Sequence, residues 1–407
     1  MNILMLSHYA GTPQYGMEFR SFYMAKEWAR RGHQVFIVGA TYSHLRWKQP
    51  MPGYEEIDGI RYLWVETRTY EGNGMGRVMS MSDFVLACYR HKKELVGYKP
   101  DIVVATSVYT FDNYPARAMA REAGAKYVYE VHDLWPLSPM IIGNYSKYHP
   151  FIWLLQRGED YAYRHTDKVV SMLDKSFPHM KERGLDEKRF CCVPNGYLKE
   201  EWDGVDLNNI PAEHKCLFNK LKSEGKTIIG FAGGHTASTA MSVLIETANM
   251  MKDDDTLAFV LVGKGPQKQE LVDMANKFCL KNVHFLPSVD KCQVPGVVAR
   301  FDIGYMGGVH STLHQYGTSF NKMTDYMLSS VPIVMSVDEP DSVVERVGCG
   351  IQVEAENPEK VKEAVKKLCA LSPEQRRIMG AKGKKYAEEN LEYATLAQRF
   401  LDYVNNM

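Results

Sequence analysis

The sequence predicts an α/β fold in which two Rossmann-like domains follow one another along the chain. A length of 407 residues suits two domains. Short apolar runs alternate with longer amphipathic stretches in two series, which is the βαβ rhythm of a doubly wound parallel sheet. The rhythm pauses over residues 194–225, where Asn, Gly and Pro cluster. We expect the two domains to face each other across a cleft, with a C-terminal helix crossing back to the first domain.

In the first series, buried strands are predicted at residues 3–7, 34–40, 60–65, 101–106, 126–131, 168–172 and 189–193. The stretch 18–31 predicts the first helix, and Gly32 supplies its stop. In the second series, strands are predicted at residues 227–232, 256–262, 283–286, 302–305, 332–336 and 351–353. Residues 373–407 predict a helical tail. The first domain is therefore expected to span residues 1–198 together with helix 390–407, and the second residues 199–389.

The composition excludes several classes of protein. Lys plus Arg and Asp plus Glu number 49 each, so no basic excess points to a nucleic-acid partner. The N-terminus lacks the features of a signal peptide, and no apolar run is long enough to span a bilayer. The eight Cys form no CxxC pair and no zinc-like cluster with His. We expect a cytoplasmic protein with reduced thiols.

Chemistry is expected in the loops after the strands, because ligands of such sheets bind at the carboxyl ends of the strands. Loop 8–18 is long and glycine-containing, loop 231–238 offers small residues at a helix start, and neither first strand is followed by GxGxxG. In loop 262–266, Lys264 is equally well interpreted as a phosphate ligand or as a solvated side chain. Loop 130–136 places His132 beside Asp133, an arrangement suited to acid/base chemistry.

Segment 315–327 carries the strongest pattern. Asn321 and Lys322 each share a helical face with Asp325, so a cation and a carboxylate would lie together. One interpretation places the Lys near phosphates and the carboxylate near ribose hydroxyls; the other is a surface ion pair. The one Asp-x-Asp run, at 253–255, precedes a strand in a polar turn, so we expect no metal and no cofactor. Phosphate charge would then be met by Lys, backbone N–H groups and helix dipoles.

Seven segments together resemble family 4 glycosyltransferases, which are retaining enzymes of the GT-B fold. They are HYAGTPQYGMEFR, ARRGHQVFIVGA, VHDLWP, VPNG, GFAGG, LVGKGP and SFNKMTDYMLSSVPIV. The last is similar to the family's S-P-N-K-x-x-E-Y-M-x-x-G-x-P-V segment. HYAGTPQYGMEFR and HDLWP are similar to the branch that builds bacterial O-antigen and capsule units, including fucosamine-type aminosugar transferases.

The resemblance implies roles by position. His132, Lys322 and Asp325 would act on the reacting groups, with Asp325 gripping the ribose. The donor would be bound by Gly16, Gly233, Gly234, His235, Lys264, Gly265, Pro266, Tyr316, Gly317, Thr318, Ser319 and Asn321. The acceptor would meet Tyr15, Glu18 and Asp133. The first domain would thus hold the acceptor and the second the nucleotide-sugar.

Three departures from the family pattern stand out. Gly317 occupies the first acidic position of the E-x7-E motif. Asp325 occupies the second, one methylene shorter than Glu. His235 follows the Gly-Gly loop, and no basic residue occurs before Lys252, although the family often has Arg and Lys here. Lys322 or His235 would then carry more of the phosphate charge.

The resemblance implies an activity that moves a hexose or N-acetylhexosamine from a nucleotide-sugar, expected to be a UDP-sugar, to a saccharide acceptor that is free or polyprenyl-diphosphate-linked. Residues 134–155 are rich in aromatic and aliphatic side chains and suit either peripheral inner-membrane contact or ordinary core packing. Two alternatives remain: a GT-B UDP-sugar 2-epimerase, and a catalytically silent nucleotide-binding partner protein.

Overall fold

The computed structural model describes residues 1–16 and 19–406, and these form two compact units. The first unit comprises residues 1–195 and 393–407, and the second comprises 196–392. The end of the chain therefore belongs to the first unit, as expected for the tail helix. No helix in the described part of the chain is long and apolar enough to cross a membrane.

The first unit is built on an eight-stranded sheet with the order β3-β4-β2-β1-β5-β6-β7-β8. Its strands are β1 Asn2–Leu6, β2 Gln34–Ala40, β3 Gly53–Ile57, β4 Ile60–Val65, β5 Ile102–Ala105, β6 Lys126–Val131, β7 Lys168–Ser171 and β8 Phe190–Cys192. Its helices up to residue 195 are α1 Arg20–Arg30, α2 Met75–Arg90, α3 Lys92–Gly97, α4 Asn113–Ala123, α5 Leu137–Ile142, α6 Pro150–His165 and α7 Phe177–Glu182.

One strand of this sheet escaped the sequence prediction. β3 pairs antiparallel with β4 at the sheet edge, whereas every other pairing in the sheet is parallel. Its sequence GYEEI has only a buried Ile57 at its end, since the edge position leaves Glu56 in solvent. Edge strands of this kind carry little of the apolar signal by which buried strands are detected.

The second unit is built on a six-stranded, entirely parallel sheet with the order β11-β10-β9-β12-β13-β14. Its strands are β9 Thr227–Ala232, β10 Leu257–Val262, β11 Val283–Leu286, β12 Ile303–Gly307, β13 Ile333–Ser336 and β14 Gly350–Val353. Its helices are α8 Ala212–Ser223, α9 Ser242–Met250, α10 Lys268–Lys277, α11 Val294–Val298, α12 Asn321–Leu328, α13 Val343–Val347, α14 Pro358–Cys369 and α15 Pro373–Asn390. Both sheets confirm the predicted α/β class.

The predicted helical tail, residues 373–407, consists of two helices, and the second begins close to the predicted start of the tail helix at residue 390. α15 ends at Asn390, and α16 runs over Tyr393–Asn405. At the break, the carbonyl of Leu391 accepts a hydrogen bond from the Tyr197 amide at 3.0 Å. α16 then packs on α1 within the first unit, where Trp28 Nε1 donates to the Ala397 carbonyl at 3.1 Å.

Candidate functional site

In the second unit, the loops after β9 and β10 pack backbone against backbone. A Cβ on Gly263 would lie 1.9 Å from the Gly233 carbonyl oxygen, and one on Gly265 would lie 2.2 Å from that of His235. Gly233, Gly263 and Gly265 have φ of +154°, +155° and +158°. The His235 amide donates to the Lys264 carbonyl at 2.9 Å. The glycines thus let two strand-end loops form one tight layer of backbone.

The N-terminus of α12 is anchored beside these loops by a buried tyrosine. Tyr326 Oη donates to the Tyr305 carbonyl at 3.1 Å and accepts from the Ala232 amide at 3.2 Å. The residue before the helix, Phe320, makes no side-chain capping hydrogen bond. The Met323 amide donates to the Phe320 carbonyl at 3.1 Å, whereas no described residue accepts from the amides of Asn321 and Lys322. These two N–H groups and the positive end of the helix dipole are therefore available to an anion.

Lys322, in the first turn of α12, brings a cation to the same place. Its Nζ lies 4.5 Å from the centroid of the Phe231 ring. A Cβ on Gly233 would lie 3.5 Å from Lys322 Cε, so the side chain passes over the glycine loop. Within the described ranges, Nζ makes no hydrogen bond or salt bridge, and the surface ion pair with Asp325 is not formed. The ammonium is left for a ligand.

Burial shifts the pKa values of both α12 side chains. It lowers the pKa of Lys322 to about 8, against the opposing effect of Asp325. It raises the pKa of Asp325 to about 7, and Lys291 opposes this rise. Lys291 itself is in a salt bridge with Glu201, with Nζ 2.6 Å from Oε2. The two shifted groups lie one helical turn apart, and perturbed pairs of this kind are common at functional sites.

His235 is fully buried in the loop after β9, and neither ring nitrogen has a hydrogen-bond partner in the described structure. Burial, together with Lys268 and Lys322, lowers its pKa to about 4. Lys268 Nζ donates to the Gly263 and Leu286 carbonyls at 2.9 and 2.8 Å. His235 is therefore neutral, and Lys268 holds the loop after β10 in place.

A buried carboxylate, that of Glu339, contacts the loop in which Gly317 replaces the first acidic residue of the family motif. Thr318 Oγ1 donates to Glu339 Oε2. Glu339 follows β13 and is only 4% exposed. Gly317 has φ of +93° and is itself buried. A carboxylate from a different strand end is thus attached to the loop that has Gly317 in place of an acidic residue.

The remaining residues predicted to bind the sugar donor lie in the same loops and differ in how far they are exposed to solvent. Lys264 and Asn321 are exposed, as are Gly234 and Pro266. The Gly234 amide is not engaged by any residue the structure describes. Tyr316 and Ser319 are half-buried and have contacts of their own.

In the first unit, His132 belongs to a buried polar network at the ends of β5 and β6. His132 Nε2 lies 3.0 Å from Glu130 Oε2 and 2.8 Å from Thr106 Oγ1. Arg20 forms a salt bridge with Glu130, with Nη2 2.9 Å from Oε1. Glu130 is fully buried and Arg20 is 4% exposed. The histidine ring is thus held from one side by a carboxylate.

The residues predicted for the acceptor are partly occupied by local contacts. Tyr15 Oη donates to both oxygens of Glu55, at 2.8 and 2.9 Å. Asp133 Oδ1 accepts from the Leu134 amide at 2.9 Å and from Ser138 Oγ at 2.5 Å. These side chains fix the loops that carry them, and their acceptor role stays a prediction. Glu18 lies outside the described residues.

Gly16 ends the first loop in close contact with a neighbouring segment. Its φ is +122°, and a Cβ would lie 2.8 Å from Trp47 Cε3. Arg46 holds the same loop, because its Nε donates to the Ala10 carbonyl at 2.8 Å and its Nη1 to the Ala40 carbonyl at 2.8 Å. Gly16 is therefore required by the fold of this loop, and contact with the donor stays a prediction.

Sequence reasoning missed four residues that build these sites, namely Arg20, Glu130, Lys268 and Glu339. Arg20 ends the segment HYAGTPQYGMEFR and Glu130 begins loop 130–136, but neither was assigned a partner because they are far apart in sequence. Lys268 lies just beyond the Gly-Lys-Gly-Pro loop. The signal that could have indicated a buried pair is Glu130 itself, a charged residue near the end of a mostly apolar strand, β6.

Comparison with known proteins agrees with this architecture. The model of the glycosyl transferase 4-like domain matches residues 16–196, and that of glycosyl transferases group 1 matches residues 226–370. Fold and domain pair together define the class: the protein is a glycosyltransferase of the GT-B type. The two halves of the chain thus match two different glycosyltransferase domain models.

Individual relatives are distant. WcaI of Escherichia coli (strain K12), provisionally named a colanic acid biosynthesis glycosyl transferase, is 21% identical over 92% of this chain and 93% of its own. Among solved structures, Anabaena HepE in complex with UDP and glucose has a TM-score of 0.68 at 15% identity, with both chains covered completely. Sucrose-phosphate synthase from Thermosynechococcus elongatus has a TM-score of 0.72 at 12% identity, covering 98% of this chain and 97% of its own.

Proposed function

We propose that this protein is a retaining glycosyltransferase that moves a hexose or N-acetylhexosamine from a UDP-sugar to a saccharide acceptor in bacterial surface polysaccharide synthesis. The observation that carries the proposal is the position of Lys322. Its unpaired ammonium lies at the uncapped N-terminus of α12, over the glycine loop after β9. A diphosphate fits this combination of point charge, helix dipole and backbone N–H groups.

The same groups would stabilise the leaving group. As the glycosidic bond loosens, negative charge accumulates on the departing diphosphate. Lys322, the Gly234 amide and the first-turn amides of α12 are fixed in advance, so they cost no reorganisation when the charge develops. The proposed mechanism needs neither a metal nor a cofactor. Retention follows from the family resemblance, with the acceptor attacking on the side of the departing phosphate.

Asp325 suits the other end of the nucleotide. Its carboxylate lies one helical turn from Lys322 and makes no hydrogen bond with another described residue. Two ribose hydroxyls would satisfy it, since a carboxylate accepts several hydrogen bonds at once. The uridine base is proposed from the fold relatives, of which HepE was solved in complex with UDP and glucose. WcaI, named for colanic acid biosynthesis, supports the polysaccharide context.

Product analysis separates this function from its two alternatives. A UDP-sugar labelled in the sugar is incubated with the protein, with and without a polyprenyl-diphosphate-linked saccharide fraction. We expect label in the lipid-linked fraction only when the acceptor is present. Free UDP and a free altered sugar formed without acceptor would indicate the 2-epimerase. UDP-sugar binding with no turnover under either condition would indicate a silent nucleotide-binding partner.

UDP affinity is expected to peak between about pH 7 and about pH 8. Above pH 8 Lys322 loses its proton, because its pKa is lowered to about 8, and the diphosphate loses its cation. Below pH 7 Asp325 gains a proton, because its pKa is raised to about 7, and it no longer accepts two ribose hydroxyls. Calorimetric titrations at a series of pH values measure this. In Lys322→Met, UDP affinity should no longer fall above pH 8, and in Asp325→Asn it should no longer fall below pH 7. If the pH dependence of UDP affinity is unchanged in these variants, the assignments are contradicted.

We also propose that the first unit contacts the inner membrane through the segment around α5 and α6. Much of the segment is core, since Leu134, Ile152 and Leu155 are buried. A second set of apolar side chains is exposed, and basic residues lie over two of its rings. The exposed residues are Ile142, Tyr148, Trp153 and Leu154, with Lys147 Nζ 5.1 Å from the Tyr148 ring and Arg157 4.8 Å from that of Trp153. Aromatic rings with neighbouring cations suit an anionic lipid surface.

Flotation with vesicles tests this contact. The wild type should float with vesicles containing anionic phospholipid and remain behind with purely zwitterionic ones. The double variant Trp153→Ala/Leu154→Ala should reduce flotation several-fold, because each buried apolar side chain contributes about 1.5–3 kcal/mol. A matched variant on an exposed site of the second unit, Ile378→Ala, should float like the wild type. Equal flotation of all three proteins would contradict the assignment.

A further inference from the structure

We propose that Glu130 is a positioning residue that fixes His132 in the tautomer with hydrogen on Nε2, so that its bare Nδ1 accepts a hydrogen bond from a substrate hydroxyl. The inference rests on the proposed function, because it assigns how His132 meets a sugar. It goes beyond that function in naming the tautomer, the atom that faces the ligand, and the buried pair that imposes both.

The first step is that Glu130 is an anion with a fixed position. Arg20 donates to Glu130 Oε1 from Nε at 3.1 Å and from Nη2 at 2.9 Å. The remaining Arg20 donors reach the Val193 and Pro194 carbonyls at 2.8 and 2.7 Å. Although burial alone would raise the pKa of Glu130, Arg20 and the neighbouring hydrogen bonds hold it well below its usual range. The carboxylate therefore only accepts hydrogen bonds.

The second step is that His132 Nε2 must carry a hydrogen. It lies 3.0 Å from Glu130 Oε2, an acceptor. It also lies 2.8 Å from Thr106 Oγ1, whose own hydrogen is donated to Glu130 Oε2 at 2.5 Å. Both neighbours therefore present lone pairs to Nε2. A neutral imidazole with hydrogen on Nε2 has its lone pair on Nδ1.

The third step is that Nδ1 is left for a ligand. No described residue forms a hydrogen bond with it, and it is not among the buried atoms that lack a partner. The side chain is about one-tenth exposed, so this nitrogen reaches solvent while Nε2 faces the protein. It lies at the carboxyl end of β6, the edge of the sheet where ligands bind in such folds. A group that donates, such as a sugar hydroxyl, is the partner it can take.

The test begins with the tautomer in the full-length protein labelled with ¹⁵N-histidine. The His132 signals are identified by their loss in His132→Asn. We expect a protonated Nε2 and an unprotonated Nδ1 in the wild type. In Glu130→Gln, whose amide can donate, the Nε2–H tautomer should lose its preference. If that variant fails to fold, Thr106→Val, which removes one of the two acceptors, is compared with Thr106→Ser, which keeps it.

Kinetics supply a matched pair of variants. His132→Asn keeps an acceptor near the Nδ1 position, and His132→Gln keeps a polar group near Nε2. Loss of one hydrogen bond to the substrate corresponds to about a tenfold loss of kcat/KM, so kcat/KM should be about tenfold lower in His132→Gln than in His132→Asn. A wild-type Nδ1–H tautomer, or the opposite order of the two variants, would overturn the proposal. The expected tautomer without any sugar transfer would count against the proposed function and leave the role of Glu130 standing.

Discussion

Lys322→Ala should lower kcat/KM for the nucleotide-sugar by about 100-fold or more, with little effect on the stability of the fold. The ammonium makes no salt bridge within the described structure, so its removal breaks no ion pair. The buried carboxyl of Asp325, whose pKa is raised to about 7, can take up a proton when this neighbouring cation is lost. What is lost is a cation at the developing charge of the departing diphosphate, a type of contact that typically contributes about 10²–10³ in rate. Steady-state kinetics with the donor varied measures the effect.

The control is a lysine in the same unit with no proposed role. Lys277 ends α10, is exposed, and Lys277→Ala makes the same change in net charge. Its kcat/KM should equal that of the wild type. The midpoints of thermal unfolding of both variants should be close to that of the wild type. If Lys322→Ala turns over donor at the wild-type rate while binding it, Lys322 has no role in the chemistry.

Gly263→Ala should destabilise the second unit by about 3 kcal/mol. The added Cβ would lie 1.9 Å from the Gly233 carbonyl oxygen, and φ at Gly263 is +155°. A backbone atom cannot yield as a flexible side chain can, so the two strand-end loops must separate. For a unit of this size, the midpoint of thermal unfolding should fall by roughly 6–12 °C. Calorimetric unfolding of the full chain resolves this transition.

Gly234→Ala provides the contrast within the same loop. Its Cβ would meet only Thr236 Cγ2, at 3.6 Å, which is an ordinary contact. Stability should change by less than about 0.5 kcal/mol. UDP affinity should nevertheless fall, because the methyl group stands at the exposed amide proposed to meet the diphosphate. Equal destabilisation by both substitutions would show that the backbone contact at Gly263 does not carry the packing of these loops.

Most of the fold could be predicted from the sequence because every strand pairing except that of β3 with β4 is parallel, and most of the strands are buried. A buried parallel strand is a continuous apolar run, as in the LAFVLV of β10, and such runs are separated by amphipathic helices. β3 could not be predicted, since its edge position leaves Tyr54 and Glu56 exposed and only Ile57 buried. The start of the tail helix near residue 390 was predicted, whereas the hydrogen bond between Tyr197 and Leu391 at this point joins residues distant in sequence and was not.

The donor side of the site was likewise predictable from local pattern, whereas its long-range partners were not. Asn321, Lys322 and Asp325 share a helix, so their spacing alone places them together. The pairing of Arg20 with Glu130, and of Thr318 with Glu339, requires knowledge of which strand ends are neighbours. The missing acidic residue at Gly317 could be read from the sequence, but the nearby carboxylate of Glu339 could be found only from the arrangement of β12 and β13.

The most direct test of the account is a donor screen by thermal shift with UDP-, GDP- and ADP-sugars on the full-length protein. A ligand that binds the native state raises the unfolding midpoint according to its affinity and concentration. UDP-sugars are predicted to raise the midpoint of the wild type, and this rise is predicted to be largely lost in Lys322→Ala. No stabilisation by any nucleotide-sugar, or an undiminished rise in Lys322→Ala, would contradict the proposal that the second unit binds a UDP-sugar through α12.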